Sequence, residues 1–229
     1  MTALSAATLK ERLTHPDAAS RLVVSPLLDP AAQLSEAQAA IDVRLGRVFS
    51  LVRPWAHGVG EQLQRNREDG DPPQPSLDTF VLAFGQPLII HPHQFVLART
   101  LEMVRLPSDL LAYVIGRSSW GRRGLIVATA VVVHPCFAGP ITLELRNLGE
   151  MPIALYPMDR IAQLTFHTLS SGEVPTGGSQ FTASFEPTLG RVRNPDEEKR
   201  LRRMVGEAMS SPPGSTLEPE AASPVSNKA

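Results

Sequence analysis

The run Gly116–Gly124 (GRSSWGRRG) concentrates side chains that can bind an anion. It places three arginines and two adjacent serines among glycines. Arginine binds phosphate through two parallel hydrogen bonds, and glycine lets a backbone approach a phosphate closely. The run therefore indicates a site for a phosphate chain. A turn that carries surface arginines explains the same composition, and on composition alone both interpretations stay open.

A second candidate is Glu144, which lies inside the segment Ile141–Asn147 (ITLELRN). Apolar residues alternate there with Thr142, Glu144 and Arg146, so a strand would present these three side chains on one face. The pattern by itself favours a cross-strand ion pair for Glu144. The other interpretation is a general base, because a carboxylate beside a desolvated pocket has a raised pKa.

The sequence offers little for a metal site. Its single cysteine, Cys136, excludes an internal disulfide and any zinc site built from paired cysteines. The tripeptide His134–Cys136 matches part of a zinc deaminase signature, but position 139 is glycine and no His-x-Glu precedes it. We therefore predict no metal ligands in this chain and no zinc.

Short strands are the elements expected to carry these residues. The chain has 21 prolines, 16 glycines and only 5% aromatic residues, which predicts many turns between short elements. Eight strand-like runs follow one another closely: Phe80–Phe84, Pro87–Ile90, Gln94–Glu102, Leu110–Ile115, Leu125–Val133, Ile141–Arg146, Ile153–Leu155 and Arg160–Phe166. This spacing predicts an antiparallel sandwich or barrel.

The segments before these runs are more varied. Leu4–Leu13 has the apolar spacing of a short amphipathic helix, and Arg21–Pro26 is typical of a strand. Ala40–Phe49 alternates with a period of two, and we expect it to turn at Gly46. Ala56–Asp78 is long and polar, which predicts a mobile surface excursion.

We divide the 229 residues into three parts. Residues 1–193 form the β domain. Residues 194–209 form an appended helix, which Asn194 caps and Pro195 begins. Residues 210–229 contain too few apolar side chains to repay ordering, so we expect a disordered tail.

Composition narrows the classes of function. The chain has 22 Lys and Arg against 23 Asp and Glu, and this balance argues against binding nucleic acid through its phosphates. No run of about 18 apolar residues is present, which predicts no membrane span. Met1–Lys10 lacks the basic and apolar segments of a secretory signal, so we expect a cytoplasmic protein.

Taken together, these segments resemble the dCTP deaminase and dUTPase superfamily. They occur in family order and cover most of residues 20–168: Ile41–Gly46, Ile90–Pro92, Phe95–Ala98, Gly116–Ser119, Gly124–Leu125, Thr129–Ala130, His134–Gly139, Leu143–Asn147 and Arg160–Phe166. The resemblance implies a mainly β fold, a dUTPase-like distorted jelly-roll or β-barrel with short flanking helices.

The resemblance also implies a reaction, the zinc-independent hydrolytic deamination of dCTP to dUTP and ammonia in the supply of dTTP precursors. Glu144 matches the glutamate that activates water in the family. Substrate contacts are implied for Arg117, Ser118, Ser119, Arg122, Ala130, His134 and Thr142. Mg²⁺ is expected on the triphosphate rather than on protein ligands. The implied assembly is a homotrimer with its active sites at subunit interfaces.

Several features leave the function open between alternatives. His134 stands where family members carry an aspartate that is essential to dUTPases, which favours deamination over dUTP hydrolysis. A neutral imidazole can still accept a hydrogen bond from the deoxyribose 3′-hydroxyl. Gly177–Arg193 has no counterpart of the family's closing segment, and Trp120 and Arg123 add bulk beside the turn. The alternatives are a bifunctional enzyme that releases dUMP and a catalytically weak nucleotide-binding regulatory homologue.

Overall fold

The computed structural model describes residues 2–34, 39–53, 76–129, 132–169, 187, 200 and 203–204. The chain divides into two units. The first comprises Met1–Gly58 and Gln74–Gly190, and the second comprises Val59–Pro73 and Arg191–Ala229. All the strands and helices named below belong to the first unit.

The described part of the first unit consists of short strands with a few helical turns between them. The strands are β1 Thr2–Ala3, β2 Val23–Ser25, β3 Ile41–Arg53, β4 Ser76–Val81, β5 Leu88–Ile90, β6 Phe95–Arg105, β7 Leu110–Gly116, β8 Leu125–Val127, β9 Val132–Val133, β10 Ala138–Asn147, β11 Ile153–Leu155 and β12 Arg160–Thr168. The helices are α1 Ala6–Leu13, α2 Pro30–Gln33 and α3 Ser118–Gly121.

Ten of these strands form one antiparallel sheet in the order β8-β10-β6-β3-β12-β7-β9, with β1 on β12, β2 on β6 and β4 on β3. A second sheet pairs β11 with β5. The long strand β3 changes neighbours along its length: Ile41–Arg44 pair with β12, whereas later residues pair with β6 and β4. A strand that pairs with different neighbours along its length forms a corner in barrel-like β folds. The predicted mainly β fold with short flanking helices is confirmed.

Alternation along the strands builds the core. In β10, Leu143 and Leu145 are fully buried, whereas Thr142 and Glu144 on the other face are half-buried and Arg146 is exposed. The largest fully buried side chains come from nearly every part of the fold: Phe49, Phe166, Leu9, Leu22, Ile41, Leu45, Ile90, Leu110, Leu125, Leu143, Leu145 and Leu155. The face predicted to carry Glu144 is therefore the face that does not enter this core.

The predicted turn at Gly46 is wrong, because β3 continues through it. A Cβ atom on Gly46 would lie 2.8 Å from the carbonyl oxygen of Arg99 in β6. The register between β3 and β6 shifts between Leu45 and Phe49, around this glycine. Gly46 thus allows a close approach of two strands at an irregular pairing rather than a reversal of the chain.

The observed ends of other elements differ from the predicted ends by a few residues. The N-terminal helix spans Ala6–Leu13, and Ser5 caps it. The run Leu125–Val133 is two strands, β8 and β9, so the prediction of one strand is wrong. The run Phe80–Phe84 contributes only its first residues to β4, which begins at Ser76 and ends at Val81.

Some predictions fall outside the described residues. Of the expected excursion, residues 56–75 are not described, and Ser76–Asp78 belong to β4. Of the predicted C-terminal helix, only Arg200, Arg203 and Met204 are described, and all three are helical. The predicted disordered tail also lies outside them. No helix in the described ranges has the length and apolar character needed to cross a membrane.

Candidate active site

The arginine- and serine-rich run forms a turn that the neighbouring strands hold at both ends. At its start, Gly116 pairs with Ala162 of β12, and the Arg117 N–H donates to the Ile161 carbonyl (3.4 Å). Arg117 is extended (φ −75°, ψ 134°) and precedes α3 as its N-cap residue. The start of the turn is therefore fixed to the beginning of β12.

At the end of the turn, Gly124 has φ +90°, a conformation that favours glycine. A Cβ atom there would also lie 2.7 Å from the Gly149 nitrogen. The buried Asn147 side chain holds this crossing: its Nδ2 donates to the carbonyls of Ile90 (3.0 Å) and Met151 (2.8 Å), and its Oδ1 accepts from the Gly149 N–H (2.8 Å). The turn and the end of β10 are thus locked together.

Between these anchors, the predicted anion donors lie at the surface. Ser118, Ser119 and Arg122 are exposed, and Arg122 forms no ion pair with any described residue. Arg123 is directed instead over the ring of Trp120, with its guanidinium carbon 5.4 Å from the ring centroid. Arg122 is therefore more available to a ligand than Arg123.

Glu144 lies in the middle of β10, opposite Leu97 of β6. On the β8 side of β10, the Glu144 backbone forms hydrogen bonds to the two residues that follow the end of β8. Its carbonyl accepts from the Ala128 N–H (2.7 Å), and its N–H donates to Thr129 Oγ1 (2.9 Å). The Thr129 hydroxyl, predicted only as part of a family motif, thus fixes the backbone of Glu144.

The environment of the Glu144 carboxylate is that of an unpartnered acid. Burial raises its pKa above the ordinary value of 4.5, and desolvation is the cause. Among the described residues, the carboxylate forms no ion pair and accepts no hydrogen bond, so the cross-strand ion pair finds no partner there. A half-buried carboxylate with free oxygens and a raised pKa is suited to take a proton from water.

Arg117 contacts a partner that sequence reasoning missed. Its Nη1 donates to Oδ2 of Asp42, whose side chain is fully buried. Arg160 Nη1 (3.2 Å) and Gln163 Nε2 (2.9 Å) donate to the same carboxylate. The pKa of Arg117 is lowered, first by desolvation and then by the charge of Arg160. Asp42 lies opposite Gln163 in the register of β3 and β12, a pairing that the sequence does not display.

The remaining predicted residues occupy different places. His134 is exposed in the turn before β10, and its carbonyl accepts from the Phe137 N–H (3.2 Å). Thr142 is half-buried on the same face of β10 as Glu144. Ala130 lies outside the described residues. Within the described ranges, no group of three or more His, Cys, Asp and Glu side chains is arranged to hold a metal ion.

Strand β8 connects the arginine turn to Glu144. The chain leaves the turn at Gly124 and runs through β8 to Ala128, whose N–H donates to the Glu144 carbonyl. Four residues of extended chain span about 13 Å, so the end of the turn lies about that far along the backbone from Ala128. The start of the turn lies closer to this end of β8, because a Cβ atom on Gly116 would be 3.4 Å from Cγ2 of Val127.

The antiparallel β fold and these side chains define a class, and comparison with known proteins names it. The chain belongs to the dCTP deaminase-like family, whose model matches residues 4–169. The resemblance seen in the sequence is thereby confirmed.

Individual relatives are similar over most of their length. The chain is 40% identical over 177 residues to the dUMP-forming dCTP deaminase of Dictyoglomus thermophilum, covering 75% of this chain and 87% of that protein. It is 36% identical over 211 residues to the dUMP-forming dCTP deaminase of Methanobrevibacter smithii, covering 87% and 100%. It is 38% identical over 200 residues to the dCTP deaminase of Natronomonas pharaonis, covering 85% and 96%.

A solved structure shares the fold. The 2′-deoxycytidine 5′-triphosphate deaminase of Agrobacterium tumefaciens superimposes with a TM-score of 0.52 at 20% identity, over 72% of this chain. This chain spans about half of that one, 48%.

Proposed function

We propose that this chain deaminates dCTP by hydrolysis, giving dUTP and ammonia without zinc. The observation that carries the proposal is the Glu144 carboxylate, which is desolvated and has no partner among the described residues. Membership of the dCTP deaminase-like family supplies the substrate class. The proposed setting is the cytoplasm, in the supply of dTTP precursors.

In the proposed reaction, Glu144 takes a proton from a water molecule whose oxygen attacks C4 of cytosine. As the oxygen bonds to C4, Glu144 passes this proton to the ring nitrogen N3. It then takes the proton of the new hydroxyl group and passes it to N4, and the C4–N4 bond breaks to release ammonia and leave the C4 carbonyl. Acid-base catalysis of this kind contributes about 10²- to 10⁴-fold, so positioning and desolvation supply the remainder. Ser118, Arg122 and the backbone near Ala130 are proposed to hold the water and to stabilise the tetrahedral intermediate.

The other predicted residues are assigned to substrate binding. Arg117 and Ser119 are proposed to bind the triphosphate, because their exposed or partly exposed donors belong to one anchored turn. His134 and Thr142 are proposed to contact the nucleoside. Mg²⁺ is proposed to enter as part of the nucleotide complex, held by phosphate oxygens.

The proposed assembly is a homotrimer in which neighbouring chains complete each site. Support comes from the exposure of three apolar side chains near these elements, Ile115 (45%), Ile126 (39%) and Val132 (39%). Burying such side chains against another copy is favourable.

A second candidate product is dUMP, formed if the same site also hydrolyses dUTP. The relatives from Dictyoglomus thermophilum and Methanobrevibacter smithii are dUMP-forming dCTP deaminases, which favours dUMP as the product. His134 opposes it, because an aspartate essential to dUTPases is replaced by a side chain that is exposed here.

Product analysis separates these candidates. Purified protein is incubated with dCTP, and separately with dUTP, in the presence of Mg²⁺, and the nucleotides are resolved by chromatography. Conversion of dCTP to dUTP that zinc chelators do not affect at fixed free Mg²⁺ is the expected result. Formation of dUMP and pyrophosphate would establish the bifunctional enzyme. Nucleotide binding without turnover would contradict both and favour the regulatory homologue.

A further inference from the structure

Asp42 collects three side-chain donors on one buried carboxylate. Its side chain has no exposed surface, whereas that of Arg117 is 21% exposed and that of Arg160 is 41% exposed. Gln163 completes the set from the strand opposite. A buried carboxylate that accepts several hydrogen bonds fixes the groups that donate them.

The charges in this cluster do not balance. Two guanidinium groups, of Arg117 and Arg160, share one carboxylate, which leaves an excess of one positive charge. Arg160 is committed elsewhere as well, because its Nη1 also donates to the Ala32 carbonyl of α2 (3.0 Å). Arg117 uses Nη1 on Asp42, and its other guanidinium donors have no partner among the described residues, which leaves them for an anion at the turn.

We propose that Asp42 is a positioning residue that holds one edge of the Arg117 guanidinium so that its free donors face the phosphate chain of the nucleotide. This inference rests on the proposed function. In the opposite arrangement, Asp42 would hold Arg117 away from the nucleotide, and removing the Asp42 charge would then lower the KM for dCTP rather than raise it. One substitution at Asp42 therefore distinguishes the two arrangements.

The test is Asp42→Asn, which keeps the shape and removes the charge. The KM for dCTP is expected to rise about tenfold or more, because a charge-assisted bond to Arg117 is lost. kcat at saturating dCTP is expected to change much less. Competitive inhibition by tripolyphosphate should weaken in parallel with the KM, whereas inhibition by deoxycytidine should not, a split that general loosening of the fold would not produce.

The matched control is Asp109→Asn, which breaks the ion pair between Asp109 and Arg12 elsewhere in the fold. It is expected to leave both constants unchanged. Gln163→Met removes one donor to Asp42 without changing any charge. This variant tests the same proposal if Asp42→Asn does not fold. It should raise the KM in the same direction by about threefold, the size of one modest hydrogen bond.

A double substitution tests the connection to Arg117. If Asp42 acts through Arg117, Asp42→Asn combined with Arg117→Gln should raise the KM no more than Arg117→Gln alone. Additive effects, an unchanged KM, or tighter dCTP binding in Asp42→Asn would overturn the proposal. These outcomes are read against an active unsubstituted enzyme. Absence of turnover in that enzyme would instead contradict the proposed function.

Discussion

Two glutamates on neighbouring strands, Glu144 of β10 and Glu102 of β6, differ in what surrounds their carboxylates. Desolvation raises the pKa of both. The fully buried Glu102 accepts from Gln33 Nε2 (2.9 Å) and from the Arg44 N–H (2.8 Å). Glu144 is half-buried and has no such donors among the described residues.

The difference distinguishes an acid that is hydrogen-bonded within the fold from the acid that we propose as the general base. The hydrogen bonds to Glu102 join α2 and β3 to β6, so its burial stabilises the fold. Desolvation of Glu144 is not offset by a described partner, so it costs stability and leaves the oxygens free to react. A raised pKa alone would have grouped the two residues together.

The largest expected effect is on turnover. Glu144→Gln keeps the size of the side chain and removes the base, so kcat should fall at least about 100-fold, the lower range for acid-base catalysis. Glu102→Gln should leave kcat per folded molecule close to that of the unsubstituted enzyme. Steady-state ammonia release from dCTP measures both. An equal loss of kcat in the two variants would contradict the different roles given to Glu144 and Glu102.

The arginine turn permits a second comparison. Arg122→Ala removes an exposed guanidinium proposed to bind the substrate, and kcat/KM should fall by about 10- to 100-fold. Arg123→Ala removes the neighbouring guanidinium, which stacks on Trp120, and should have a much smaller effect. Both constants are measured with dCTP and Mg²⁺. An unchanged kcat/KM in Arg122→Ala would remove this arginine from the site.

Stability should respond in opposite directions. Glu102→Gln turns an amide NH₂ toward a donor at Gln33 or Arg44, so the free energy of unfolding should fall by about 1–3 kcal/mol. Glu144→Gln should raise it slightly at pH 7, because a neutral amide avoids the desolvation of an ionised carboxylate. Urea denaturation of both variants tests this, and destabilisation by Glu144→Gln would contradict the account.

The smallest effects concern pH. Because the folded-state pKa of Glu144 is raised, its stabilising contribution is present below about 4.5, the ordinary glutamate value, and is lost as pH rises through the folded-state pKa. The stability advantage of Glu144→Gln should therefore vanish in acid. The acidic limb of kcat/KM should lie above pH 4.5 and should be unchanged in Glu102→Gln. A limb shifted by that variant would implicate Glu102 instead.

Features encoded within a strand were predictable from the sequence. Alternation in β10 predicted that Glu144 lies on the non-core face, and the order of motifs predicted the fold. A local signal was overlooked at α2, where Asp29 precedes Pro30 and caps the helix through the Ala32 N–H (3.1 Å).

Contacts between distant strands were not predictable. The alternation in Ala40–Phe49 does not indicate that Asp42 is buried, and one donor to its carboxylate, Gln163, lies 121 positions away. Glu102 is satisfied only because α2 and β3 meet β6. The chemistry of a carboxylate depends on such neighbours, and a strand pattern does not specify which strands pair.

The most direct test of Glu144 as the base measures binding and chemistry on the same variant. Equilibrium binding of dCTP with Mg²⁺ to Glu144→Gln is determined by calorimetry, and ammonia release is followed in the same samples. We expect the variant to bind dCTP with a Kd close to the KM of the unsubstituted enzyme. We also expect the dCTP to be recovered unchanged. Ammonia release at the parent rate, or loss of dCTP binding by a correctly folded variant, would contradict the assignment of Glu144 as the general base.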